Sequence, residues 1–141
     1  MSSTKVFVSY SHRDAAVAEK IADALRAFDL RTGGAVTTLS ARDIPLGSDF
    51  RDAVREMVKS SDAVLVVATS PELASHSWTG YEIGMAEALG KPVILATSDR
   101  HSLSEFPEDF KSVRSVVFDP EKPEGAAREI AGRLMSKSLD A

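Results

Sequence analysis

Ala63-Val64-Leu65-Val66-Val67-Ala68 is an unbroken apolar run set between Ser60-Ser61-Asp62 and Thr69-Ser70-Pro71. Its length is that of a strand, and its lack of polar alternation suits a strand covered on both faces, as in a parallel sheet. The polar clusters on either side mark its two ends. Working outward, strand-like and helix-like segments alternate. Upstream, Lys5–Tyr10 (KVFVSY) is short, β-branched and aromatic, and reads as a strand. Asp14 can cap the helix after it, where Val17, Ile21, Leu25 and Phe28 recur as an amphipathic stripe. Gly33-Gly34 ends that unit, Ala35–Leu39 reads as a short second strand, and Ser40–Gly47 as a loop with Pro45 and Gly47. Ser48 or Asp49 can cap a second helix with Phe50, Val54, Met57 and Val58 turned inward.

Downstream, Ser75 to about Leu89 reads as a helix stopped by Gly90. Pro92–Ala96 (PVILA) is another buried strand, and Ser115–Phe118 the last one. Asp99–Lys111 is expected to be loop with a short helix, and Gly125–Met135 closes the chain as a helix with Ile130, Leu134 and Met135 apolar. Repeated βα units of this length predict an α/β fold: a flavodoxin-like parallel sheet of five strands with helices on both faces. Residues 1–141 are read as a single domain with its core over about 5–135. In such sheets a ligand lies beyond the carboxyl ends of the strands. Here those ends are Ser9–Asp14, Leu39–Gly47, Thr69–Ser77 and Ala96–Ser102.

Composition narrows the function classes. The chain has 141 residues, with 17 Lys plus Arg against 21 Asp plus Glu and a net charge of −4. That argues against nucleic-acid binding through bulk charge, which needs a basic face. There are no cysteines, which excludes a disulfide framework, a thiolate metal site and a Cys nucleophile. His12, His76 and His101 are scattered, so no metal site is expected. No apolar run approaches the roughly 20 residues of a membrane span, and Met1–Lys5 is polar and leads directly into a strand. A cytoplasmic protein without membrane contact is expected.

Ser77–Leu89 carries the chemistry. On a helical wheel centred on Glu82, Leu89 falls about 20° to one side, Trp78 about 40° and Met85 about 60°, with Ala86 about 40° to the other. Gly80, Gly84 and Glu87 lie on the opposite side. Glu82 therefore sits within the apolar stripe, where a carboxylate is costly unless it is paired or functional. The plain reading is a Glu that reaches solvent from the first turns or pairs with an Arg. The functional reading rests on three points. The segment comes after the third strand and so lies near the crevice. Trp78 precedes Glu82 by one turn on the same face. Tyr81 adds a second ring and a hydroxyl. Trp78 alone would be an ordinary core anchor.

Three segments give the chain a family likeness. Val6–Asp14 (VFVSYSHRD) looks like the first box of the TIR (Toll/interleukin-1 receptor-like) domain, a strand ending in Ser-Tyr before a polar loop. Arg42–Gly47 (RDIPLG) looks like its loop after the second strand, and Trp78–Glu82 (WTGYE) matches the Trp-x-x-x-Glu element of enzymatic members. The chain thus resembles a bacterial, NAD-cleaving TIR domain in register from Lys5 to about Met135. The likeness implies an NAD glycohydrolase that breaks the nicotinamide–ribose bond, with Glu82 as the catalytic residue and NAD as substrate rather than cofactor. It implies ADP-ribose or a cyclic ADP-ribose isomer as product, the latter suggested by Trp78 and Tyr81, and a place in bacterial defence signalling. Ser9, Tyr10 and Ser11 match first-box residues that line the pocket. Arg13 is a candidate for the pyrophosphate, against the plainer reading of an exposed loop Arg. Arg42 and Asp43 fall in the loop that TIR domains use for self-association or closure; the plainer reading is a capped surface turn, with Asp43 structural. Self-association and a fused or separate sensor domain are the partners the likeness implies.

The departures are specific. Leu46 separates Pro45 from Gly47, the Phe-Trp third box of receptor members is absent, and Ser11 stands where some NAD-cleaving relatives carry Arg, which shifts a phosphate contact towards Arg13. The alternative is a non-catalytic TIR interaction module, which has no use for Glu82 on an apolar face. A phosphoacceptor receiver is rejected because the first and third strands end in Ser9-Tyr10-Ser11 and Thr69-Ser70 rather than in carboxylates. A nucleoside deoxyribosyltransferase also sets a Glu against ribose, and Arg42–Gly47 argues for TIR instead. A flavodoxin needs a fuller hydroxyl loop than Ser9 and Ser11 supply.

Overall fold

A computed structural model of the chain describes residues 4–10, 12–27, 36–40, 50–69, 84–98, 114–119 and 121–140. The strands are β1 (Thr4–Tyr10), β2 (Val36–Ser40), β3 (Ala63–Ala68), β4 (Val93–Ser98) and β5 (Arg114–Phe118). They form one sheet in the order β2-β1-β3-β4-β5. Every pairing is parallel. The helices are α1 (Ala15–Ala27), α2 (Phe50–Ser60), α3 (84–88) and α4 (Ala127–Asp140). This is the flavodoxin-like α/β architecture that the alternation predicts.

Alternation along the strands builds two cores. Val6 and Val8 of β1, Leu65 and Val67 of β3, Ile94 and Ala96 of β4 and Val116 and Phe118 of β5 face one side, against Ile21 and Leu25 of α1 and Ile130 of α4. Phe7, Val64, Val66, Ala68 and Leu95 face the other, against Val54 and Val58 of α2 and Ala86 of α3. All six residues of β3 are buried, as the unbroken run Ala63–Ala68 requires of a central strand covered on both faces. The stripe read on α1 is in place, with Ile21 and Leu25 fully buried and Val17 partly so. Phe28, and the side chains of Phe50, Leu134 and Met135, lie outside the described residues.

Several expectations shift: β1 and β5 each start one residue earlier than the sequence predicts, at Thr4 and Arg114, and the last helix runs on to Asp140 rather than Met135. β2 is described over Val36–Ser40, one residue past its expected end at Leu39, and Ala35 lies outside the described residues. β4 starts at Val93 and runs on to Ser98 rather than stopping at Ala96, because Thr97 and Ser98 continue the ladder opposite Val117 and Phe118 of β5. The last helix starts at Ala127, not Gly125: Pro123–Ala126 form a 3-10 turn first, with Pro at its start where no N–H is needed. Leu89, read as part of the apolar stripe, is 40% exposed. The helix has ended by then. Lys91 N–H donates to Ala86 O at 2.8 Å and Gly90 N–H to Glu87 O at 3.1 Å, the paired bonds of a Schellman stop. Gly90, at φ +73°, supplies the left-handed residue that this stop needs.

Candidate functional site

The chain leaves β1 towards α1 on one face of the sheet and leaves β3 towards α3 on the other. The two exits diverge between neighbouring strands, which is the topological switch point where a doubly wound sheet opens a crevice. Residues at the ends of β1, β3 and β4 therefore frame the candidate site.

Ser9 is buried on the α2 side, opposite Val66 of β3, and its hydroxyl has no hydrogen-bond partner among the described residues. Tyr10 points to the other face and is half-buried against the α1 side. Arg13 is exposed on a 3-10 turn over His12–Asp14. Asp14 ends that turn and is buried. Its position in the sequence predicts a cap for α1, but its carboxylate reaches across the switch point. Thr69 donates its hydroxyl to Oδ1 at 2.6 Å and its backbone N–H to Oδ2 at 3.2 Å. The distant partner satisfies both carboxylate oxygens, which suits a buried acid better than one local N–H.

At the end of β4, Thr97 and Ser98 are both buried. The Thr97 hydroxyl, like that of Ser9, has no partner among the described residues. Neither Thr69 nor Thr97 stands out in the sequence as a site residue. A signal for both is present: β3 and β4 end in the same Ala-Thr-Ser triplet, at Ala68-Thr69-Ser70 and Ala96-Thr97-Ser98. Ala68 pairs with Thr97, so the triplets are offset by one residue and the two threonines face opposite sides of the sheet.

α3 carries the end of the stripe drawn around Glu82. Ala86 is fully buried, Met85 partly buried, and Gly84 and Glu87 are exposed. Glu82, Trp78 and Tyr81, with Ser11, Arg42 and Asp43, lie outside the described residues. Among the described residues no group of three or more His, Cys, Asp or Glu gathers as a metal site. No described helix is long and apolar enough to cross a membrane.

Known proteins resemble this chain in sequence and in fold. A sequence profile of the TIR domain matches residues 6–133. The uncharacterized protein y4lF of Sinorhizobium fredii is 28% identical over 147 aligned positions, which cover 92% of this chain. The chain spans 44% of that protein's length. Among solved structures, a conserved protein from Enterococcus faecalis superposes with a TM-score of 0.60 at 18% identity, over 94% of this chain and 99% of that one. A 2-deoxyribosyltransferase from Bacillus psychrosaccharolyticus gives 0.60 at 20% identity, over 86% and 90%. The CMP N-glycosidase of Clostridium botulinum gives 0.58 at 16%, over 91% and 99%. At these identities the likenesses show a shared fold.

Proposed function

The chain belongs to the TIR domain family, and from that membership we propose that it is an NAD glycohydrolase acting at the nicotinamide–ribose bond. The observation that carries the reading is the burial pattern of α3. Ala86, four residues after Glu82, is buried while Gly84 and Glu87 are exposed, in line with the wheel centred on Glu82, and Leu89 at the end of the helix is the exception at 40% exposed. That pattern supports a carboxylate spaced one turn from a buried position, next to Trp78 and Tyr81 in sequence.

The chemistry needs one carboxylate. Nicotinamide leaves a cationic pyridinium as a neutral molecule, taking the C–N bonding pair, so no acid is needed to protonate it, unlike an ordinary sugar leaving group. Positive charge develops on the ribose. Glu82 stabilises that charge and hydrogen-bonds the ribose hydroxyls. Water then adds to the anomeric carbon and loses a proton, giving ADP-ribose; attack by a nucleophilic atom of the adenosine half of the same molecule, with loss of its proton, gives a cyclic isomer instead. Trp78 offers a flat face for nicotinamide or adenine, with Tyr81 beside it. Ser9, Tyr10 and Ser11 supply hydroxyls at the β1 end, and Arg13 a cation for the pyrophosphate. Arg42 and Asp43 belong to a loop that closes the site or joins it to a second copy. The setting that goes with this reading is bacterial defence signalling in the cytoplasm, under a fused or separate sensor.

The test is nicotinamide release from NAD by concentrated protein, beside Glu82→Gln. The substitution is expected to cost on the order of 10²–10³ in rate. Equal release by both proteins means that Glu82 is misassigned. No release by either, even when the protein is forced to cluster, leaves a TIR domain that works as an interaction module.

A further inference from the structure

Ser9 and Thr97 each stand one residue short of the carboxyl end of a strand, β1 and β4, and each is buried. Neither hydroxyl has a hydrogen-bond partner among the described residues. Both face the side covered by α2, since Ser9 follows Phe7 and Thr97 follows Leu95 at the two-residue period of a strand. Val66 of β3 lies opposite Ser9, and Ala68 opposite Thr97. β3 thus lays an apolar floor between them. Two strand spacings and two residues separate the pair, about 12 Å from Cα to Cα. Ala at position 9 and Val at position 97 would fill much the same space and leave no oxygen unpaired, so packing does not account for either hydroxyl.

The neighbourhood is uncharged. Among the described residues no Lys or Arg is buried, and the one buried carboxylate, Asp14, has both oxygens taken by Thr69. A phosphate brought against Phe7, Leu95 and the β3 floor would lose its water without gaining a cation. Hydroxyls that both donate and accept suit uncharged groups that do the same, such as a sugar diol or the amide and ring nitrogens of a base. One small group does not span about 12 Å, whereas a nucleoside carries polar atoms at both ends. We propose that Ser9 and Thr97 are the two polar ends of a nucleoside slot, one hydroxyl bonding the ribose and the other the base. Thr97 is then a binding residue, and the slot takes the nucleoside part of a ligand and not its phosphates. Both hydroxyls are shut from water in the free protein, so a ligand reaches them only as the crevice opens, and its hydrogen bonds then form away from solvent competition. As a part of NAD recognition the slot rests on the proposed function; as a nucleoside site it stands alone.

The experiment measures the binding of adenosine, nicotinamide riboside and inorganic pyrophosphate by calorimetry to the parent protein, Ser9→Ala, Thr97→Val and Thr97→Ser. At least one nucleoside is expected to bind the parent protein. Its Kd is expected to rise about two- to tenfold in Ser9→Ala and in Thr97→Val, one neutral hydrogen bond each, and to stay near the parent value in Thr97→Ser. Pyrophosphate is expected to behave alike towards all four proteins. Urea unfolding of the same samples separates a loss of affinity from a loss of fold. No nucleoside binding by the parent protein, an unchanged Kd in Thr97→Val, a Thr97→Ser as weak as Thr97→Val, or pyrophosphate binding weakened as much as nucleoside binding overturns the proposal. Nicotinamide release from NAD reports separately on the proposed function. Release with a KM unmoved by Thr97→Val keeps the NAD reading and removes the slot. Nucleoside binding weakened by both substitutions, in a protein that releases no nicotinamide, keeps the slot and removes the NAD reading.

Discussion

Ser9 and Thr97 face the same side of the sheet from β1 and β4, with β3 between them, and neither hydroxyl has a hydrogen-bond partner among the described residues. Both are buried, at 4% and 1% exposure. A buried hydroxyl without a partner costs about 1–3 kcal/mol. Thr97→Val removes the oxygen at nearly constant volume and improves strand propensity. It is expected to stabilise the protein by about 0.5–1 kcal/mol in urea unfolding, and Ser9→Ala to be neutral or mildly stabilising. If these hydroxyls meet the ligand, the same substitutions weaken NAD binding, so stability and affinity move in opposite directions. Destabilisation of more than about 1 kcal/mol by Thr97→Val would instead show that the hydroxyl has a structural partner.

Gly90 ends α3 in the left-handed region at φ +73°. A Cβ built there meets nothing within 4 Å, so backbone strain is the whole cost of a side chain. Gly90→Ala is expected to lower stability by about 1–2 kcal/mol, and Gly90→Asn by less, since Asn tolerates this conformation. Equal losses for Ala and Asn in thermal unfolding would contradict that account.

Much of the fold is legible in the sequence because apolar periodicity reports burial directly. Ala63–Ala68 carries no polar residue and is buried at every position, and Gly90 marks the end of α3. What the sequence conceals is pairing across the fold. Asp14 stands just before a helix, and local rules make such a residue a cap; its partner is 55 residues away and only the β1–β3 register brings them together. The overrun of β4 has the same origin. Thr97 and Ser98 look like the polar end of PVILA until β5 is there to continue their ladder. Of the candidate site, Ser9 and Tyr10 stand at the end of β1 where the sequence puts them, while Glu82, Trp78 and Tyr81 lie outside the described residues. That the hydroxyls of Ser9 and Thr97 are unpaired is not legible, because the absence of a partner is a property of the folded neighbourhood.

Lys5 and Asp62 exchange two bonds at the amino edge of the sheet: Asp62 N–H donates to Lys5 O at 2.7 Å, and Lys5 N–H to Asp62 Oδ2 at 2.8 Å. Asp62→Ala deletes the second bond at an exposed position and is expected to cost about 0.5–1.5 kcal/mol. Asp62→Asn keeps an acceptor and should recover most of it. The crevice is at the opposite end of the strands, so nicotinamide release at a temperature where both variants are folded is expected to match the parent protein. A kcat lowered by Asp62→Ala under those conditions would mean that the amino edge communicates with the site.

Arg13 is exposed on the turn after β1, at the edge where the nucleotide is proposed to bind. It is the cation proposed for the pyrophosphate, two residues after Ser11 in the first box. A contact of this kind, half in water, contributes about 0.5–1.5 kcal/mol, or about two- to tenfold in affinity. Arg13→Ala is therefore expected to raise KM for NAD by about that factor while leaving kcat nearly unchanged, because the pyrophosphate is bound alike in ground and transition states. Nicotinamide riboside has the same scissile bond and no pyrophosphate. With that substrate the substitution should have no effect, and high salt should narrow the difference seen with NAD. An equal loss on both substrates would remove Arg13 from the pyrophosphate and return it to the role of a surface residue that shapes the turn.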